Sequence, residues 1–237
     1  MRKDAPIISC FHVNVEDPRR GMRVLNDISL EVARGAWVEI VGPSASGKSL
    51  LFSILSLRGR AARPSKLVIG GRNLDKADAA DIAELRRHIG SCAETPQLLR
   101  DRTVIENLVV PFVVRHEPRM ALSHAEGLLE RLDLEYLRDI RVEECSRQER
   151  LCLGVMLAMI GEPELILLDS LLEQLEPRFA KPLMNELRAC HLSGSSVVLF
   201  GREFSENARR GERYRLDEGA LIQIEQPVIV ELAGGAQ

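Results

Sequence analysis

Gly42-Pro-Ser-Ala-Ser-Gly47-Lys48-Ser49 is the stretch on which the reading of this chain turns. It fits G-x-x-x-x-G-K-[ST], a backbone cradle for phosphates. The glycines let the chain wrap tightly with its N–H groups inward, the lysine reaches the outer phosphates, and the final hydroxyl can hold Mg²⁺. Gly42, Pro43, Ser44, Ala45, Ser46, Gly47, Lys48 and Ser49, with Leu50 behind them, are therefore candidate nucleotide contacts. The competing reading is a Gly/Ser-rich surface turn, and the flanks argue against it. Trp37-Val38-Glu39-Ile40-Val41 predicts a strand entering the loop. Leu50 to Leu57 is apolar on nearly every face, as a buried helix leaving the loop would be.

Working outward, 237 residues suffice for one large α/β domain or a domain with a subdomain, and either buries a sizeable core. The formal net charge of -3 argues against a nucleic-acid surface as the main partner. Cys10, Cys92, Cys145, Cys152 and Cys190 are scattered without C-x-x-C spacing, which suits reduced thiols better than a disulfide frame or zinc site. Cys145 and Cys152, seven apart, could share a helix face, with small apolar packing as their reading. The histidines show no metal-ligand spacing. No signal peptide opens the chain and no apolar run approaches bilayer-spanning length; Leu108 to Val114 is interrupted by Pro111. The expectation is that another subunit carries the chain to any membrane.

Residues 7–13 and 24–33 predict strands on either side of the polar turn Glu16 to Gly21, and Lys66 to Ile69 before Gly70-Gly71 predicts another. From about Glu94 to Glu144 strand signals are few, and Ala121 to Leu132 and Leu134 to Asp139 carry helical spacing. Leu165-Ile-Leu-Leu168 and Ser196-Val-Val-Leu-Phe200 are short continuous apolar runs of the kind buried on both faces of a parallel sheet. An α/β core split by a helical insert follows. The first of these runs ends in Asp169, about 120 residues beyond Lys48, where a carboxylate can order a Mg²⁺ shell.

With both signals in hand, the chain resembles the ATPase subunits of ABC transporters. It is similar in particular to the compact ATPases that serve lipoprotein release, cell division and Mla-type phospholipid transport. The likeness rests on Leu25-Asn-Asp-Ile-Ser-Leu30, Leu85-Arg-Arg-His-Ile-Gly90, Asp101-Arg-Thr-Val-Ile-Glu-Asn-Leu108, Pro111-Phe112, Glu162-Pro-Glu-Leu-Ile-Leu-Leu-Asp169 and Leu175-Glu176-Pro177, in that order. The resemblance implies a P-loop NTPase core, with a mostly parallel central sheet and an N-terminal antiparallel β subdomain. Residues 1–92 and 150–237 would form the nucleotide-binding part and 93–149 an inserted helical subdomain, in which Leu98, Leu99 and Phe112 either receive a helix of the membrane subunit or pack the core. It also implies ATP and Mg²⁺ as ligands and a head-to-tail homodimer or heterodimer with another ABC ATPase. A transmembrane subunit would be the partner, and the place of work the cytoplasmic face of the cell membrane, touched only through that partner.

Several positions depart from the family pattern. The glutamate that would follow the strand acid is Ser170, and a hydroxyl is no general base at neutral pH. The switch histidine falls on Arg202, for which a surface pair with Glu203 is the plainer reading. The metal-sensing glutamine falls on Glu94, either a weak Mg²⁺ ligand or a solvated loop charge. The signature reads Cys145-Ser-Arg-Gln-Glu-Arg150; both glycines are gone, and the Cβ atoms of Arg147 and Gln148 would crowd a γ-phosphate. Ser146-x-x-Glu149 also reads as a helix capping box, while Arg147 offers a charge to a phosphate. Glu173 is a substitute base only if its place in a loop allows it. An adenine-stacking aromatic near 14–20 is missing. These departures predict a subunit that binds Mg-ATP and hydrolyses it slowly or not at all, or a non-transporting scaffold built on the same frame. A P-loop kinase fits the order of motifs poorly.

Overall fold

A computed structural model describes residues 5–16, 23–59, 65–205 and 211–225. The strands are β1 (Ile8–Glu16), β2 (Arg23–Val32), β3 (Trp37–Val41), β4 (Lys66–Ile69), β5 (Arg72–Asn73), β6 (Ile89–Cys92), β7 (Leu165–Asp169), β8 (Ser196–Gly201), β9 (Glu212–Asp217) and β10 (Ala220–Gln223). The helices are α1 (Lys48–Leu55), α2 (Ala79–Arg87), α3 (Val104–Val114), α4 (Pro118–Arg131), α5 (Arg147–Met159) and α6 (Pro177–Leu192). The polar turn expected between the first two strands lies mostly outside the described residues, as does most of the stretch expected to lack a stacking aromatic.

Two sheets result. One is antiparallel, in the order β2-β1-β4-β5; the other runs β10-β9-β3-β8-β7-β6 and is parallel except for its β10–β9 edge. The central strands β3, β7 and β8 are buried at every position. Their side chains divide with period 2 between two cores. Trp37, Ile166, Leu168, Val197 and Leu199 face α3, α5 and α6, whereas Val38, Ile40, Leu165, Leu167, Val198 and Phe200 face α1 and the antiparallel sheet.

This topology places the site. Because β3, β8, β7 and β6 are parallel neighbours, their carboxyl ends open on one edge of the sheet. The chain segments after them are 42–47 (leading into α1), 202–205, 170–176 and 93–97. Ligands of open α/β sheets bind at such an edge.

Between β6 and α5 the chain is helical. Thr103 starts α3 with a reciprocal capping box to Glu106, and the helix runs through Pro111. The stretch Leu134 to Asp139, expected to be helical, makes only a tight 3₁₀ turn at Glu135–Leu137; its buried contact is Leu137, and Leu134 N–H already closes back on Leu129.

Candidate nucleotide-binding site

The phosphate loop is shaped by close approach. Gly42 lies so near the carbonyl of Leu216 that a Cβ would sit 2.1 Å from that oxygen. Gly47 caps α1 with φ of 101°, a left-handed backbone that glycine adopts without strain. The first N–H groups of a helix lack intrahelical partners and carry the positive end of its dipole, so α1 begins where an anion is favoured.

Lys48 is 7% exposed, and its Nζ donates to Gly42 O at 2.8 Å, Pro43 O at 2.7 Å and Ser46 Oγ at 3.4 Å. Burial lowers its pKa; Asp169 and Glu173 act the other way, and the charge of Arg202 adds to the lowering. Asp169 ends β7, 2% exposed, and accepts a hydrogen bond from Ser170 Oγ at 3.3 Å, with the Ser49 hydroxyl close enough to favour its ionised form. Burial raises its pKa, aided by Glu94 and opposed by the two hydroxyls and Lys48.

One open cleft of ≈ 1130 Å³ brings together Ser44, Ala45, Lys48, Ser49, Glu94, Ser170 and Arg202 of the sequence-predicted residues. The hard oxygens of Ser49 and Asp169, near enough to interact, suit a Mg²⁺ that keeps several waters. Glu94 is exposed at the cleft edge. Among the described residues no three His, Cys, Asp or Glu side chains gather into a metal cluster of their own. The donor set therefore fits a metal held jointly with phosphate oxygens.

Ser170 sits in a left-handed backbone (φ 52°), its N–H bonded to Phe200 O at 2.9 Å and its carbonyl accepting from Gln174 Nε2 at 3.0 Å. Its hydroxyl points at Asp169, so the position offers a hydrogen bond and no proton acceptor of useful strength. Arg202 departs from the surface pairing expected of it. Among the described residues it forms no ion pair with Glu203; it lines the cleft instead, its backbone N–H donating to Glu173 Oε1. Glu173, which follows Leu172 in a 3₁₀ turn, lines the same cleft. Sequence spacing gave no signal for that contact, because the partners are brought together by the pairing of β7 with β8.

The signature segment serves its own chain. Ser146 caps α5, its Oγ accepting from Glu149 N–H at 3.3 Å while Glu149 Oε2 accepts from Ser146 N–H at 2.7 Å. Burial alone would raise the Glu149 pKa, but these bonds, with that of Tyr136, hold it below the ordinary value. Arg147 donates to Gln174 Oε1, so its guanidinium is engaged within the chain. Gln148 Nε2 donates to Gln174 O and its Oε1 accepts from Glu176 N–H, each at 3.0 Å. The α6 residues Lys181, Asn185 and Arg188 also face the cleft; their i, i+4, i+7 spacing was the signal that could have found them.

All five cysteines are free. Cys145 precedes α5, so it does not share a helix face with Cys152, whose thiol burial pushes up to about 12. Phe112 is a core residue at 2% exposure, Leu98 packs at the margin of that core and Leu99 is 49% exposed. No helix among the described residues is long and apolar enough to cross a membrane.

A family model described as ABC transporter matches residues 25–172. The macrolide export ATP-binding/permease protein MacB of Shewanella oneidensis is 29% identical over 241 residues, covering 100% of this chain and 36% of that protein. This chain thus spans about a third of the MacB relatives it matches. The lipoprotein-releasing system ATP-binding protein LolD of Aquifex aeolicus is 30% identical over 192 residues, covering 80% of this chain and 85% of LolD. The ATP-binding cassette MJ0796, in a dimeric post-hydrolysis state bound to ADP and Pi, superposes with a TM-score of 0.83 at 20% identity, over 93% of this chain and 99% of that one.

Proposed function

The chain belongs to the ABC transporter family, and on that premise we propose that it is an ATP-binding subunit of a membrane ABC complex that binds Mg-ATP with slow or absent hydrolysis. One observation carries the reading: Lys48 and Ser49 line one cleft with Ser170, the buried Asp169 lies behind them within reach of Lys48 and Ser49, and the residue after Asp169 is a serine hydrogen-bonded to it. The backbone of Gly42–Ser49 and Lys48 would hold the triphosphate, and Ser49 and Asp169 the metal, with Glu94 at the margin. Mg²⁺, when bound, neutralises charge on the outer phosphate oxygens. Ser170 donates to Asp169, which would help hold the metal, and cannot take a proton from water at neutral pH. Loss of a positioned base lowers rates about 10²- to 10⁴-fold.

ATP then acts as a ligand that favours a closed homodimer or heterodimer, to the extent that it binds that state more tightly. A transmembrane subunit docks on the helical region 93–149, keeping the chain at the inner face of the cell membrane without direct contact. The likeness to LolD supports a lipid or lipoprotein cargo. A second reading, a pseudo-ATPase scaffold that fixes a membrane partner or an active ABC paralogue in one conformation, draws on Arg147 and Gln148, which are bonded to Gln174 and Glu176 of their own chain.

The test is Mg-ATP turnover by the purified chain, with Lys48→Ala as the blank and Ser170→Glu beside it. Turnover at the blank's level with ATP still bound is expected, and about 10²-fold more from Ser170→Glu. Fast turnover by the unmodified chain overturns slow hydrolysis; failure to bind ATP overturns the whole reading.

A further inference from the structure

The end of β8 and the loop that follows it are fastened at three points, and each fastening bears on the phosphate cleft. Gly201 O accepts from Gly42 N–H, the first residue of the phosphate loop, at 3.2 Å. Arg202 N–H donates to Glu173 Oε1. Ser205 N–H donates at 2.8 Å, and its Oγ at 2.5 Å, to Glu39, a carboxylate only 2% exposed in the middle of β3. A carboxylate so deeply buried is stable only with such partners, so the far end of the loop is set by the core. Glu173 sets the near end. It reaches the Arg202 amide only because residue 201 has no side chain: a Cβ on Gly201 would lie 2.5 Å from Glu173 Oε1.

Arg202 itself is exposed, lines the cleft with Lys48 and Ser49, and contributes a positive charge that Lys48 feels. Among the described residues no hydrogen bond or ion pair engages its guanidinium. A planar donor group held over a cleft beside a second cation suits phosphate oxygens.

We propose that Glu173 is a positioning residue of the phosphate cleft: by pinning the Arg202 amide it holds the Arg202 guanidinium as a second phosphate-directed cation beside Lys48, selecting a nucleoside triphosphate over a diphosphate. This rests on the nucleotide-binding reading above.

The experiment is calorimetric titration of the whole chain with Mg-ATP and with Mg-ADP. Glu173→Ala and Arg202→Ala are each expected to reduce the preference for ATP over ADP about tenfold, the worth of one charge-assisted contact. The double variant should lose no more than either alone. Glu173→Gln keeps an oxygen acceptor for the Arg202 amide and should hold the preference to within about threefold, as a general base would not in turnover. Gly201→Ala displaces the carboxylate from the other side, and should match Glu173→Ala even if that variant proves unstable. An unchanged preference in both Glu173→Ala and Gly201→Ala overturns the inference alone. Should the unmodified chain bind neither nucleotide, or Lys48→Ala bind as well as it does, the functional reading falls and this one with it.

Discussion

At the scale of single residues the site trades stability for a ligand. Asp169 is held in the folded chain at a pKa above its ordinary value of 3.8, chiefly by burial, so the folded state binds that proton more tightly than the unfolded one. Its contribution is therefore complete below 3.8 and is lost as pH rises through the folded pKa. Above its folded pKa the ionised carboxylate is a destabilising group in want of a cation. Asp169→Asn is expected to raise the Tm of the nucleotide-free chain by a few degrees at pH 7 and to remove this part of the pH dependence. It should also weaken Mg²⁺-dependent nucleotide binding by about tenfold or more. Thermal melts across pH, with and without Mg-ATP, check both halves; a lower Tm in the variant would contradict the sign. The cradle was legible in the sequence because a phosphate loop is local: Gly42, Gly47, Lys48 and Ser49 are fixed by spacing alone. Glu173 and Gly201 were not, since their contact exists only once β7 and β8 are paired.

At the scale of elements, α5 shows a segment with two competing uses. Its first turn carries a reciprocal capping box and two side chains bonded to the stretch after β7. Ser146→Ala should lower stability by about 1 kcal/mol, the usual worth of such a cap. Gln148→Ala, which leaves Gln174 O and Glu176 N–H without their partner, should lower it by a similar ~1 kcal/mol. Each corresponds to roughly 2–4 °C in Tm for a chain of this size, and calorimetry would detect it. An effect near zero for Gln148→Ala would mean that water replaces the bridge. The capping box was readable as Ser146-x-x-Glu149, and β3, β7 and β8 as short apolar runs, because burial on both faces leaves no polar positions. The edge pair β9–β10 was harder to read: only Tyr214 and Leu216 of β9 are buried, so its pattern is short and half polar. Thr103-x-x-Glu106 would have marked the start of α3 by the same rule that marked α5.

At the scale of the whole molecule, the sheet order makes the cleft a junction of otherwise distant segments. The cleft is lined by the loop after β3, the Ser170–Gln174 stretch after β7 and the Arg202 loop after β8, all carried by adjacent parallel strands, so a ligand bound there would bridge them. Those strands separate the two cores, so a ligand that ties their ends together stabilises both at once. A ligand at a hundred times its dissociation constant adds about 2.7 kcal/mol to a fold it binds selectively. At roughly 2–4 °C per kcal/mol, Mg-ATP should raise the Tm by about 5–10 °C, less without Mg²⁺ and not at all in Lys48→Ala. The time course of that shift carries more than its size. An ATPase turning over at about 10 s⁻¹, an ordinary enzyme rate, converts a hundredfold excess of ATP within roughly 10 s. In this chain the ATP-specific part of the shift should instead persist through incubations of minutes, because the residue after Asp169 is Ser170 and Glu173 is occupied by the Arg202 amide. Under Ser170→Glu the same shift should decay toward the value seen with ADP. If it decays equally fast in the unmodified chain, a proton acceptor other than residue 170 operates in the cleft. Glu173, through its second carboxylate oxygen, would then be the group to replace first.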